Sequence, residues 1–155
     1  ASDIIGGTMG PIGTITFNTG GIPMACQTAN CGANVAALIN SQTVVMNYTA
    51  AQVSNTYNVS YSNFNGASGT IAGSATAPFS SLQLGNNRLP ADAQQNVQLP
   101  MSSSSGAGQT SLAMVGQFGS IANLVGKFST FTTTMAQFNG GNVAVMRAGY
   151  QVKGQ

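Results

Sequence analysis

The chain has 155 residues and a mass of 15.6 kDa, the size of one ordinary domain, and 43% of it is hydrophobic, enough to bury a core. Only 4% is charged, against about 25% in an average globular protein; there is no His to titrate near neutrality, and the two acids, Asp3 and Asp92, lie about ninety residues apart. This composition argues against acid–base catalysis, a metal centre or a bound cofactor. A net charge of +2 from Arg88, Lys127, Arg147 and Lys153 also falls short of the dense basic face that nucleic acid requires.

Taken in order, the first residues read as a processed N-terminus: Ala1-Ser2-Asp3 is small and uncharged apart from one acid, and the expectation is a mature secreted chain. Residues 1–12 then alternate, with Ile5, Gly7, Met9 and Pro11 on one edge, but Gly6, Gly7, Gly10 and Pro11 weaken any strand that must hold itself together. Two readings stay open. The segment is either a donor strand that lies in a neighbour's groove, with Ile5 and Met9 filling pockets, or a terminal strand of the same subunit.

From Gly13 onward the dominant signal is period-two alternation in segments rich in Val, Thr, Tyr and Phe. Strands are predicted over Gly13 to Asn18, Thr43 to Thr49, Thr56 to Phe64, Gly69 to Ala75, Ser80 to Leu84, Asn96 to Met101, Ser111 to Phe118, Gly126 to Phe138 and Asn142 to Lys153. Short helical turns are predicted over Ala33 to Asn40 and Ser120 to Val125. Loops fall at Asn18 to Pro23, Asn65 to Gly69, Gly85 to Asp92, Ser102 to Gly108 and Asn139 to Asn142. In the last strand Ala144, Met146, Ala148, Tyr150 and Val152 form one apolar face, predicted to be buried and to border the groove that accepts a donated strand. The whole is expected to be an all-β, immunoglobulin-like antiparallel sandwich over residues 13–155, with residues 1–12 as an extension.

Cys26 and Cys31, with four residues between them, permit a short local disulfide in an oxidising compartment, the alternative being two free thiols. The sequons Asn47-Tyr48-Thr49 and Asn58-Val59-Ser60 make Asn47 and Asn58 candidate glycosylation sites. The scattered Met residues read as core filler. Asp3-Ile4-Ile5-Gly6-Gly7 matches a protease N-terminus only by accident, because the triad's His is missing. No apolar run is long enough to span a membrane as a helix.

Gly13-Thr14-Ile15-Thr16-Phe17-Asn18-Thr19-Gly20, followed by Cys26, together with Tyr150 near the C-terminus, resembles the subunits of bacterial pili assembled by the chaperone–usher route. The departures are the second cysteine, which comes after four residues instead of a few dozen, and the Lys153-Gly154-Gln155 tail. The resemblance implies a structural subunit that polymerises by donor-strand complementation into a helical homopolymer. Its partners would be identical subunits and an assembly chaperone or outer-membrane machinery, and its setting an extracellular cell-surface filament serving adhesion or biofilm. The sparse charge agrees, since a subunit covered by its neighbours does not depend on surface charge for solubility. The alternative is a secreted non-catalytic binding module for a carbohydrate or ice surface, or a viral capsid or decoration protein.

Overall fold

In the computed structural model the structure describes residues 14–47, 49–78, 81, 95–118 and 128–155. Two antiparallel sheets face each other around one apolar core. The first sheet contains β1 (Thr14–Thr19), β2 (Ile22–Pro23), β4 (Ala36–Asn47), β5 (Gln52–Phe64) and β6 (Ala67–Pro78), in the order β1-β4-β5-β6 with β2 also on β4. The second runs β3-β11-β10-β9-β7: β3 (Ala25–Cys26), β11 (Asn142–Lys153), β10 (Phe128–Asn139), β9 (Thr110–Phe118) and β7 (Gln95–Gln98), with the short β8 (Ser105–Gly106) also on β9.

Alternation decides which residues face inward. In β11 the even positions Ala144, Met146, Ala148, Tyr150 and Val152 are buried, while Arg147, Gln151 and Lys153 are exposed. In β5 the odd positions Val53, Asn55, Tyr57, Val59 and Tyr61 point in. Phe17 of the first sheet meets Phe131 of the second edge to face, with ring centroids 5.6 Å apart, so one aromatic pair bridges the layers at the centre.

One helical expectation is corrected. Ala33 to Asn40 contains good helix formers, yet Ala36 to Asn40 begins a twelve-residue strand. A bulge between Ile39 and Ser41 shifts the register there, so the buried set passes from Ala37 and Ile39 to Gln42, Val44 and Met46. Pairing with β5 on one side and β1 and β2 on the other overrides local propensity. The expected loop Asn18 to Pro23 likewise ends in β2. Apart from Ser81, the strand expected over Ser80 to Leu84, the turn over Ser120 to Val125 and the loop Gly85 to Asp92 lie outside the described residues.

Two hairpin turns lie at the same end of the molecule. Asn65-Gly66 joins β5 to β6 with φ of 49° and 86°, and Gly140-Gly141 joins β10 to β11 with φ of 57° and 93°. Both use the left-handed backbone that two-residue hairpins demand, which accounts for Asn and Gly at these positions.

Candidate functional site

The two sides of the sandwich are built differently. On one, the chain's own first strands close the gap: β1 and β2 pair with β4, and β3 then crosses to pair with β11 at Met146 and Arg147. Thr16 and Gln155 exchange backbone hydrogen bonds of 2.9 and 3.0 Å beside a bridge between Phe17 and Gly154. The last strand was expected to border an acceptor groove; its described neighbours on this side are β3 and, beside its end, Phe17.

On the other side neither β6 nor β7 has a second strand partner among the described residues. Between them lies a cleft of ≈ 400 Å³ whose lining includes Leu99, Met101 and Leu112 together with Ala77 of β6 and Gln98 of β7. The crossing segment beside it is tied to the first sheet. Tyr57 OH donates to Ser103 O at 2.6 Å and accepts from Ser103 N–H at 2.8 Å, and Ser74 N–H donates to Ser102 Oγ at 3.0 Å. Edge strands are normally blunted by charge, yet the twelve residues of β6, ASGTIAGSATAP, carry none.

The outer face of the first sheet is uncharged as well. Its side chains bond across strands: Thr43 Oγ1 donates to Asn18 Oδ1 at 2.6 Å, Ser54 pairs with Thr76 and Thr56 with Ser74, both at 2.8 Å, and Asn40 Nδ2 donates to Asn58 Oδ1 at 2.8 Å. Hydroxyl and amide rows thus take the place of ion pairs. Asn58, one of the two sequon asparagines, lies in these rows at mid-strand. Asn47 lies at the β4–β5 turn, where its Oδ1 accepts from Ala50 N–H at 3.0 Å.

Cys26 and Cys31 are joined as a disulfide with Cα atoms 6.2 Å apart, closing the turn after β3. Thr28 Oγ1 in that turn accepts from Val145 N–H at 3.1 Å, which fastens it to β11. Ile5, Gly7, Met9 and Pro11, expected to form a donor strand, lie outside the described residues, as do Asp3, Arg88, Asp92 and Lys127. Among the described residues no three His, Cys, Asp or Glu side chains cluster, and no helix is long and apolar enough to cross a membrane.

Two polar regions were not anticipated from the sequence. Inside the core, Thr133 Oγ1 pairs with Tyr150 OH at 2.8 Å, and Tyr150 OH donates to Gln42 Oε1. Gln42 Nε2 donates to Asn55 Oδ1 at 3.2 Å, and Asn55 Nδ2 donates to Pro100 O at 3.1 Å. This chain of bonds runs from the second sheet to the first and on to the crossing segment. Burial pushes the Tyr150 hydroxyl up to about 12, against the partial opposition of its bond to Thr133.

At the turn end, a cleft of ≈ 350 Å³ is lined by Asn65, Gly108, Gln109, Gln137, Phe138 and Asn139, among others. Asn139 Nδ2 donates to Asn65 O at 3.2 Å, holding the two hairpin turns together. Gln137 Oε1 and Asn65 Nδ2 are buried with no hydrogen-bond partner among the described residues. Compared with protein-family models, curated proteins and solved structures, the chain matches none.

Proposed function

We propose that this chain is a structural, non-catalytic subunit of a secreted extracellular filament, built by donation of the N-terminal segment of one subunit to the next. The observation that supports it is the asymmetry of the sandwich. One side is closed by the chain's own first strands, while on the other β6 and β7 are uncharged edges with no second strand partner among the described residues, flanking a cleft whose lining includes Leu99, Met101 and Leu112. An exposed edge of this kind templates another strand.

Residues 1–12 suit the role in length and chemistry. A twelve-residue extended segment reaches about 40 Å, as does β6 with its twelve residues. Ile5 and Met9 would meet Leu99, Met101 and Leu112, and the glycines would permit close approach to the β6 backbone. Because the donating and accepting surfaces differ, each contact leaves one of each free and growth does not close. Apart from the two-residue β3, which crosses to the second sheet between β2 and β4, the strands follow one another within a sheet, β4 to β6 in the first and β7 to β11 in the second; the two-layer packing and the donated strand are therefore retained here without an immunoglobulin connectivity. A disulfide and a surface poor in charge fit an oxidising extracellular setting, with adhesion or biofilm as the service.

The test is a cysteine pair, Met9→Cys with Ala77→Cys. Filaments carrying both should give a ladder of covalent oligomers on a non-reducing gel, and removal of residues 1–12 should abolish filaments. A bond formed only within one subunit, or filaments of normal length from the truncated chain, would overturn the proposal.

A further inference from the structure

The turn-end cleft lies at the junction of both sheets: Asn65 comes from the β5–β6 turn, Gln109 from the segment before β9, and Gln137 to Asn139 from the end of β10. Its depth depends on Gly108, whose φ of 66° suits glycine. A Cβ there would come within 2.8 Å of the Ala67 Cβ and 3.1 Å of Gln137 Nε2.

Its chemistry is that of a ligand site. Gln137 is 2% exposed, and a buried amide normally finds partners within the protein; here its oxygen has none among the described residues, and neither does the side-chain nitrogen of Asn65, which lines the same cleft. An amide turned over exchanges oxygen and nitrogen, so either position can meet a donor or an acceptor. The matching group is a hydroxyl, which is both at once. No charged side chain is among the described residues that line the cleft, which suits a neutral ligand. Phe138, 48% exposed, adds an apolar ring at the same cleft, of the kind that packs against the C–H face of a sugar. The volume falls within the range of about 300–1,000 Å³ usual for small-molecule sites.

We propose that this cleft, formed by Asn65, Gln109, Gln137, Phe138 and Asn139, binds a neutral saccharide unit. With a single ring and few amides the affinity is modest, with Kd in the millimolar range. The inference does not depend on the filament reading, since the site lies within one subunit.

Saturation-transfer NMR on the full chain tests it, with glucose, galactose, mannose, N-acetylglucosamine, cellobiose and glucuronate as probes. At least one neutral sugar should bind and glucuronate should not. Phe138→Ser, at an exposed position, and Gln137→Met, which keeps the volume and removes the amide, should each weaken binding by about tenfold or more. The proposal is overturned if no neutral sugar gives transfer, if glucuronate binds as well as glucose, or if neither substitution weakens binding. It is equally overturned if the two variants fail to self-associate while the wild type binds no sugar, because the cleft would then be a contact between subunits.

Discussion

Gln42 and Gln137 are both 2% exposed and both point inward from long strands, yet their surroundings differ. Gln42 accepts from Tyr150 and donates to Asn55, so it sits in the middle of a chain in which each hydroxyl or amide meets the next. The Gln137 oxygen meets nothing among the described residues, and it lines a cleft at the molecule's end. A satisfied buried amide specifies how two sheets pack; an unsatisfied one beside open space costs stability, and under our proposal a ligand hydroxyl would meet it. Burial alone does not separate structure from site; the partner count does.

The sharpest way to break this contrast is Gln42→Leu. It leaves the buried Asn55 oxygen without a partner among the described residues and the Tyr150 hydroxyl with Thr133 alone, and should cost about 2–4 kcal/mol and lower Tm by about 10 °C. Chemical denaturation checks it, and a loss below about 1 kcal/mol would mean that the chain of bonds is idle.

Alkaline pH attacks the same chain through Tyr150. Its folded value of about 12 exceeds the ordinary 10.0, so the neutral phenol is favoured by folding. That stability is complete below pH 10 and is lost as pH rises towards 12, amounting to about 2–3 kcal/mol. Denaturation midpoints should hold steady to about pH 9.5 and then fall, and Tyr150→Phe should remove the part of the fall due to this residue.

Thr133→Val removes only the far end of the chain and should cost about 1 kcal/mol in the same assay. Gln137→Met should have the opposite sign, leaving stability unchanged or raising it by up to about 1 kcal/mol, because it deletes a buried amide oxygen that has no partner among the described residues. If it destabilised as much as Gln42→Leu, the two regions would be alike and the cleft would lose its claim to be a site.

Much of the sandwich was legible in the sequence. Period-two alternation located β1, β9, β10 and β11 to within two residues at each end and found β5 from Thr56 onward, because each buries one face and polar residues occupy the other. Ala36 to Asn40 was misread because the bulge at Ile39 and Ser41 breaks the alternation where Ala and Leu favour helix. The polar core was hidden for a different reason. Gln42, Asn55 and Thr133 interrupt the apolar faces of their strands, and nothing local reveals that their partners are each other across the sandwich. Gln137 was equally opaque, since its cleft is assembled from segments that meet only in three dimensions.

The strand β1 also has a mechanical consequence. A pull on the chain ahead of Thr14 runs along β1, whose six registered pairs with β4 lie side by side across the direction of force. They are loaded in shear and must yield together, unlike a hairpin peeled open one pair at a time. Through Thr16 and Gln155 the same strand hands tension to the second layer, so both sheets carry the load. Survival under tension is set by how slowly the native state opens, and this geometry makes the first strand the clamp that governs that rate.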